Sequence, residues 1–385
     1  MQYNKATNLS PLRLNVLALA VMFALVCASL PARAEHKANR YRQVNLVSDL
    51  PGVAALQDTN LVNAWGISFS STSPFWVSAN GTGKALLYVV TNDSSGTTHV
   101  VKQGLEVTIP GEGNPTGQIF NNTSGFHGDI FIFVSEDGTI SGWRGALGTT
   151  AEVLTTRPGA VYKGVALASS GIGTVLLAAN FSEGTVDVYD TNVTLVAQFT
   201  DPHAPHNYAP FNVQLIDGHI FVTFAKQDAD KEDDVPGKGH GLIDVLNLSN
   251  GHFHRFATGS DAGGKLREIN SPWGLALAPD SFGKHGGQLL VGNFGSGTIM
   301  AFEADGDFKG LLKAEHHGPV TIEGLWALTF GNGGRGGDPD TLYFSAGPED
   351  ESHGLFGSLE PVKKHDADGD DNDGDDDDDH GGDHH

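Results

Sequence analysis

The chain has 385 residues, including 51 glycines and a single cysteine, and its formal net charge is −23 at neutral pH. Phosphate binding requires a positive surface, so this charge argues against a nucleic-acid partner, and it disfavours an anionic membrane surface for the same reason. The one cysteine, Cys27, lies in the first 34 residues. The chain without them can form neither a disulfide nor a cysteine–zinc site.

Those first 34 residues are typical of a signal peptide. Lys5 and Arg13 are its positive residues, Leu14–Cys27 is apolar, and Ala32 and Ala34 occupy the −3 and −1 positions of a cleavage site. An apolar stretch of this length is too short for the roughly 30 Å hydrocarbon core of a membrane. We therefore expect an exported protein, periplasmic or extracellular, with no membrane span after cleavage. Residues 35–40 would form a linker.

Residues 41–362 contain six segments that share one plan. Each has an apolar strand led by an aromatic residue or glycine, a glycine-rich gap, a second apolar strand, a polar turn and a third strand. The first strands start near six positions spaced 47 to 62 residues apart, namely Trp65, Thr116, Lys163, Phe211, Trp273 and Leu325. Such spacing is typical of a β-propeller, whereas the coils of a parallel β-helix are much shorter. The sequence predicts an all-β, six-bladed propeller.

The ends of the repeat region indicate how the ring closes. The last blade has no outer strand after Leu359, because Pro361 is followed by charged residues. At the other end, Tyr41–Val47 is a strand that belongs to no repeat. An open ring would leave an apolar face and a strand edge exposed. We therefore expect the N-terminal strand to complete the last blade.

Several strings resemble a family of exported bacterial propellers that are known only as conserved hypothetical proteins. The strings are DGTISGW at Asp137–Trp143, APFNVQ at Ala209–Gln214, AKQDADK at Ala225–Lys231, PWGLALAP at Pro272–Pro279 and SAGPEDESHGLFG at Ser345–Gly357. The resemblance covers about residues 41–360. It implies the fold and export but supplies no catalytic residues. More distantly, the repeats resemble NHL-type and gluconolactonase-type propellers, and this likeness rests on architecture.

In a propeller, the turns before the inner strands and the hairpins between second and third strands share one face, here named the channel-mouth face. On it we predict ligand-binding candidates at His206, Asn212, Lys226, Asp228, Asn270, Glu349 and His353. The same turns also bring polar residues at Asn63, Asn80, Asn114, Glu136, Asp137, Lys163 and Asp350. The charged insertion Gln227–Gly241 is either a loop over this face or a solvated loop, and both interpretations stay open.

A metal interpretation rests on the gluconolactonase-type resemblance. It implies Ca²⁺ or another hard divalent ion, which prefers oxygen ligands and polarises a lactone carbonyl in such enzymes. Glu323, Asn180 and Asn293 would be a similar ligand set. Alternatively, the two asparagines simply cap hairpins, because Asn tolerates left-handed backbone. The glutamate-led motif of those lactonases is missing from the first blade.

Two functions therefore stay open. The first is an exported, monomeric binding module that takes a small molecule, a glycan or a protein at the channel-mouth face. The second is a divalent-metal-dependent hydrolase or lactonase that uses the same face.

The C-terminal residues 363–385 differ in character from the repeats. Eleven Asp and four His lie between residues 365 and 385, with no aliphatic residue larger than alanine. Such a segment cannot bury apolar surface, so we predict a disordered acidic tail with loose cation binding.

Overall fold

The computed structural model describes residues 38–260 and 268–362. The predicted signal peptide and acidic tail lie outside the described residues. Almost all regular structure in the described part is β-strand. The helices there are four 3₁₀ turns, at Asn80–Thr82, Phe126–Gly128, Gly145–Leu147 and Gly283–His285. None of the helices in these two ranges has the length and apolar character needed to cross a membrane.

Six sheets form the blades, and each sheet runs outward from an inner strand. Five of them have four antiparallel strands in chain order. Blade 1 contains β3 (Ala64–Ser68), β4 (Phe75–Ala79), β5 (Lys84–Asn92) and β6 (Thr98–Thr108). Blade 2 contains β7 (Pro115–Phe120), β8 (Phe131–Ser135), β9 (Thr139–Trp143) and β10 (Glu152–Thr156). Blade 3 contains β11 (Tyr162–Ser170), β12 (Gly173–Asn180), β13 (Thr185–Tyr189) and β14 (Leu195–Phe199).

The remaining blades follow the same plan. Blade 4 contains β15 (Tyr208–Ile216), β16 (His219–Lys226), β17 (Gly241–Asn247) and β18 (His252–Thr258). Blade 5 contains β19 (Pro272–Leu277), β20 (Leu289–Asn293), β21 (Ile299–Phe302) and β22 (Phe308–Leu311). Blade 6 contains β24 (Leu325–Phe330), β25 (Leu342–Ala346) and β26 (Leu355–Pro361), and β1 (Arg40–Ser48) is its outer strand. The six-bladed propeller predicted from the repeats is confirmed.

The N-terminal strand closes the ring, as predicted. Strand β1 runs antiparallel to β26, with Tyr41 opposite Pro361 and Ser48 opposite Leu355. Two short strands, β2 (Leu56–Gln57) and β23 (Lys313–Ala314), pair with β1 in parallel. The Tyr41 hydroxyl donates a hydrogen bond to the Phe282 carbonyl oxygen at 3.0 Å, which also ties this strand to blade 5.

Burial along each blade explains the apolar pattern of its strands. Inner and second strands are buried on both faces between neighbouring blades, so they are almost continuously apolar. Outer strands alternate between more and less exposed positions, as in Leu195–Phe199. Close approach of neighbouring inner strands requires glycine at Gly164, where a Cβ atom would lie 2.8 Å from the Asn212 Cα atom.

Candidate functional site

A β-bulge near the start of every inner strand shapes the centre of the propeller. The pairing of each inner strand with its neighbour shifts register there in all six blades. A bulged residue leaves the regular ladder, and its side chain is re-aimed. The bulges contain Trp65, Thr116, Lys163, Phe211, Trp273 and Trp326.

Aromatic side chains from these bulges close the channel. The Trp326 ring stacks on Trp65, with centroids 3.6 Å apart, and on Phe294, with centroids 3.9 Å apart. Trp273 meets Trp326 edge-on at 6.0 Å, and Phe211 lies 5.7 Å from it. Four of the six bulges thus contribute to one buried aromatic cluster. The bulged Thr116 instead donates to the Tyr162 carbonyl oxygen at 2.6 Å.

The bulge of blade 3 places a lysine beside this aromatic cluster. The Lys163 side chain is 2% exposed, and its Nζ atom lies 2.5 Å from Glu136 Oε1 and 3.2 Å from Asp233 Oδ1. The ammonium also lies 5.2 Å from the Trp65 ring centroid, within the range of a cation–π contact. Burial lowers the pKa of Lys163, but the two carboxylates outweigh burial and raise that pKa above its ordinary value. The lysine is therefore charged.

Glu351 brings a carboxyl group from blade 6 to the same region. Its Oε2 atom accepts a hydrogen bond from Asn63 Nδ2 at 2.5 Å. Burial raises the pKa of Glu351 to about 7, and the nearby Glu136 carboxylate adds to the effect while Lys163 opposes it. Glu351 ends a run of three non-glycine residues in the left-handed region, with φ values of 55°, 52° and 65° for residues 349–351. Such backbone is strained and clusters at functional sites.

The insertion in blade 4 contributes Asp234 as well as Asp233. Burial raises the pKa of Asp234 to about 6, while a hydrogen bond from the Ser271 hydroxyl and the positive charge of Lys163 act in the opposite direction. The insertion therefore carries one carboxylate that contacts the lysine and a second that is buried close to it.

Asparagine amides connect these groups into one network. Asn63 Oδ1 accepts from Trp326 Nε1 at 2.9 Å, and Asn63 Nδ2 lies 3.3 Å from Asn80 Oδ1. Asn80 Nδ2 in turn donates to Glu136 Oε2 at 3.0 Å. Residues from blades 6, 1, 2, 3 and 4 thereby contact one another in sequence. We name this network the mouth cluster, and its members are Asn63, Asn80, Glu136, Lys163, Asp233, Asp234 and Glu351.

Several buried polar atoms in the turns and strand ends of this face have unused hydrogen-bonding capacity. A buried polar atom without a partner is unfavourable by about 1–3 kcal/mol, so such atoms mark places where water or a ligand binds. Within residues 38–260 and 268–362, those without a partner on this face include Trp65 Nε1, Asn114 Oδ1 and Ser135 Oγ. Both donors and acceptors are therefore available to a bound polar molecule.

Two of the predicted ligand-binding residues hold backbone in place. Asn212 is buried, and its Nδ2 donates to the Trp273 carbonyl oxygen at 2.8 Å, which ties β15 to β19. Asn270 Oδ1 accepts from the Gly237 backbone N–H at 2.6 Å and so anchors the insertion.

The other predicted ligand-binding residues lie in the turn before blade 4, at the base of the insertion and close to Glu351 in the chain. His206 is exposed, and Lys226 and Asp228 are half-buried at the base of the insertion. The Asp228 carboxylate accepts from the Glu232 backbone N–H at 3.1 Å. His353 Nδ1 lies 2.7 Å from Asp49 Oδ2 and its Nε2 lies 3.6 Å from Glu349 Oε2, and the bond to Asp49 raises the pKa of His353. Glu349 and His353 lie on either side of Glu351 in the chain.

Each of the three predicted metal ligands makes a hydrogen bond with a neighbouring residue. Asn180 Nδ2 donates to Asp187 Oδ2 at 3.0 Å, and Asn293 Nδ2 donates to Thr298 Oγ1 at 3.1 Å. The exposed Glu323 accepts from the Glu349 backbone N–H at 3.2 Å. In the part of the chain that the structure describes, no three His, Cys, Asp or Glu side chains converge on one ion position.

The mouth cluster itself also does not fit a divalent ion as it is arranged. Ca²⁺ requires six to eight oxygens at about 2.3–2.6 Å. The Lys163 ammonium already lies against Glu136 and Asp233. An ion bound between these two carboxylates would overlap that ammonium, and the two positive charges would repel each other.

Sequence reasoning did not single out Glu351, Asp234 or the aromatic cluster. Glu351 lies between Asp350 and His353 in the chain, and nothing in the sequence separates it from the neighbouring exposed Glu349. The repeats do carry one signal. The start of blade 3 has Lys163 where four other blades carry an apolar residue and blade 2 carries Thr116.

Comparisons with known proteins agree with this architecture. No protein-family model matches the chain. Two uncharacterized proteins of Acanthamoeba polyphaga mimivirus are similar in sequence. One is 27% identical over 334 residues, covering 82% of this chain and 78% of the relative. The other is 28% identical over 338 residues, covering 82% and 84%. Because these relatives are viral, membership of an exported bacterial family stays a prediction.

Two solved structures are similar to this chain in fold. Virginiamycin B lyase from Staphylococcus aureus has a TM-score of 0.46 and 12% identity, over 84% of this chain and 99% of that one. The calcium-binding protein regucalcin from Agrobacterium tumefaciens has a TM-score of 0.47 and 14% identity, over 80% and 95%. Likeness at this level concerns the fold alone.

Proposed function

We propose that the protein is a binding module that takes a positively charged group at its channel-mouth face. The observation that carries the proposal is the charge balance of the mouth cluster. The carboxylates of Glu136 and Asp233 contact the Lys163 ammonium, and the carboxyl groups of Asp234 and Glu351 lie near enough for its charge to lower their pKa values. The raised pKa values of Asp234 and Glu351 indicate carboxyl groups that are buried without enough compensating positive charge.

A ligand cation would supply the missing charge. It would favour the ionised forms of Glu351 and Asp234, so binding would release protons near neutral pH. The approach from solvent is open beside the insertion, because the Asp233 side chain is 73% exposed. The net charge of −23 would also attract a cation over longer range.

The chemistry fits an alkyl ammonium or guanidinium group better than a bare metal ion. Such a group donates several hydrogen bonds to separate oxygens and does not require a closed shell of oxygen ligands. Asn114 Oδ1, which has no hydrogen-bond partner among the described residues, and the Asp234 carboxylate would accept from it. The group could belong to a free polyamine or to a basic side chain of a peptide. Export by the signal peptide and a monomeric state remain part of the proposal.

Calorimetric titration of the full chain tests the proposal with three probes: spermidine, a capped trilysine peptide and neutral maltotriose. At about pH 8 we expect one of the two cationic probes to bind, and to bind more weakly at about pH 6, where Glu351 holds its proton. Glu351→Gln should reduce the affinity at least tenfold. Asp305→Asn is the matched control, because Asp305 is an exposed carboxylate on the opposite face.

The two cationic arms distinguish the sources of the positive group. Spermidine binding alone indicates a small-molecule ligand, and trilysine binding alone indicates a peptide. Binding of maltotriose without either cation would contradict the proposal, as would equal losses of affinity in Glu351→Gln and Asp305→Asn.

A further inference from the structure

The fold itself does not require a charged residue at the position of Lys163. The equivalent bulges of the other five blades carry Trp65, Thr116, Phe211, Trp273 and Trp326. Four of these five side chains are aromatic and pack in the central cluster. Lysine is almost never fully buried unless it is paired. Its presence here therefore needs an explanation other than closure of the channel.

The Lys163 ammonium bridges parts of the molecule that belong to three different blades. It contacts Glu136, which follows the second strand of blade 2, and Asp233, which lies on the insertion of blade 4. It also lies over the Trp65 ring of blade 1. The backbone carbonyl of the same lysine accepts from Trp273 Nε1 of blade 5 at 3.1 Å. One residue of blade 3 thus holds four other blades at the channel mouth.

We infer that the Lys163 ammonium is the resident cation of the channel mouth and holds the carboxylates of blade 2 and of the insertion together, as a bound divalent ion otherwise would. A cation that is part of the chain cannot dissociate or be removed by a chelator. The arrangement of the mouth is therefore independent of the divalent-ion concentration around the protein.

This inference concerns the cation that is already in place, and it does not rest on the binding of a second, ligand-borne cation. The inference about Lys163 and the proposed function can fail separately. A protein that binds neither spermidine nor trilysine can still depend on Lys163 for the order of its mouth cluster.

Thermal unfolding of the full chain in EDTA and in millimolar CaCl₂, at matched ionic strength, tests the inference. We expect the Tm of the wild type to be nearly the same in both. Lys163→Ala leaves the carboxylates without a counter-charge and opens space for an ion. It should lower the Tm by roughly 5–10 °C in EDTA, and Ca²⁺ should restore a large part of the loss. Lys226→Ala, a lysine on the same face, should show neither effect.

A double variant separates charge from packing. Lys163→Ala with Glu136→Gln removes one carboxylate together with the ammonium, so it should be more stable in EDTA than the single variant and less responsive to Ca²⁺. The inference is overturned if Ca²⁺ stabilises the wild type as much as Lys163→Ala, or if Glu136→Gln recovers no stability. Should the single variant fail to fold, folding of the double variant still supports a charge effect, and failure of both shows that Lys163 acts only by filling space.

Discussion

The outer edge of blade 1 and the channel mouth both place carboxyl groups around a lysine, yet the pKa values of their glutamates shift in opposite directions. In blade 1, hydrogen bonds from Lys102 and Lys84 lower the pKa of Glu106 to about 2. At the mouth, burial raises the pKa of Glu351 to about 7. The residue type is the same, so the difference lies first in the deeper burial of Glu351 and then in the two lysines that contact Glu106.

Charge is balanced within the blade 1 group. Lys102 Nζ lies 2.7 Å from Asp58 Oδ1 and 2.6 Å from Glu106 Oε1, and Lys84 Nζ lies 2.7 Å from Glu106 Oε2. The Tyr88 hydroxyl donates to Asp58 Oδ2 at 2.7 Å. Two lysines therefore neutralise two carboxylates, which is the pattern of a structural ion network. The mouth cluster has four carboxyl groups and one lysine, which is the pattern expected where a ligand completes the site.

Removing one lysine from the balanced blade 1 group should lower the stability of the fold more than any other change proposed here. Lys102→Met leaves the Asp58 carboxylate, whose side chain is 3% exposed, with the Tyr88 hydroxyl and the Asn60 backbone N–H but without a counter-charge. Breaking a buried ion pair on one side destabilises by about 3–5 kcal/mol, which urea unfolding measures. Lys309→Met is the control, since Lys309 is exposed and lies 3.9 Å from Glu303, and it should change stability by less than about 0.5 kcal/mol. A loss below about 1 kcal/mol for Lys102→Met would contradict a balanced buried network.

Glu351→Gln should change the pH dependence of stability by an intermediate amount. The folded state holds the Glu351 proton more tightly than the unfolded chain, so this group's contribution is complete below about pH 4.5 and is lost as the pH rises through about 7. The unfolding free energy of the wild type, minus that of the variant, should fall by about 2–3 kcal/mol over this range. Denaturation curves at several pH values measure the difference, and a flat difference would show that Glu351 is not buried as described.

Glu106→Gln should change the pH dependence of stability the least, and in the opposite direction to Glu351→Gln. The lowered pKa means that this carboxylate stabilises the fold above about pH 4.5 and that its contribution is lost as the pH falls towards 2. Because the side chain is partly exposed, solvent screening limits the loss at neutral pH to about 1 kcal/mol. The unfolding free energy should be measured between about pH 3 and 7. The wild-type value minus that of Glu106→Gln should become smaller as the pH falls, whereas the wild-type value minus that of Glu351→Gln should become larger.

The sequence was sufficient to predict the six blades, their strands and the closing strand. Apolar runs separated by glycine-rich turns are local features, and their repetition indicates the architecture. The closing strand followed from the missing outer strand after Leu359.

Only the tertiary structure decided which polar groups of the channel-mouth face meet. Glu136, Lys163 and Asp233 come from three different blades, and Glu351 comes from a fourth, far along the chain. Their sequence context resembles that of neighbours such as the half-buried Asp137 and the exposed Glu349. What separates them is the set of charges around each carboxyl group, which depends on how bulges and loops of different blades converge on one axis. Repeats specify a propeller through local pattern, whereas its site arises from contacts that no single repeat contains.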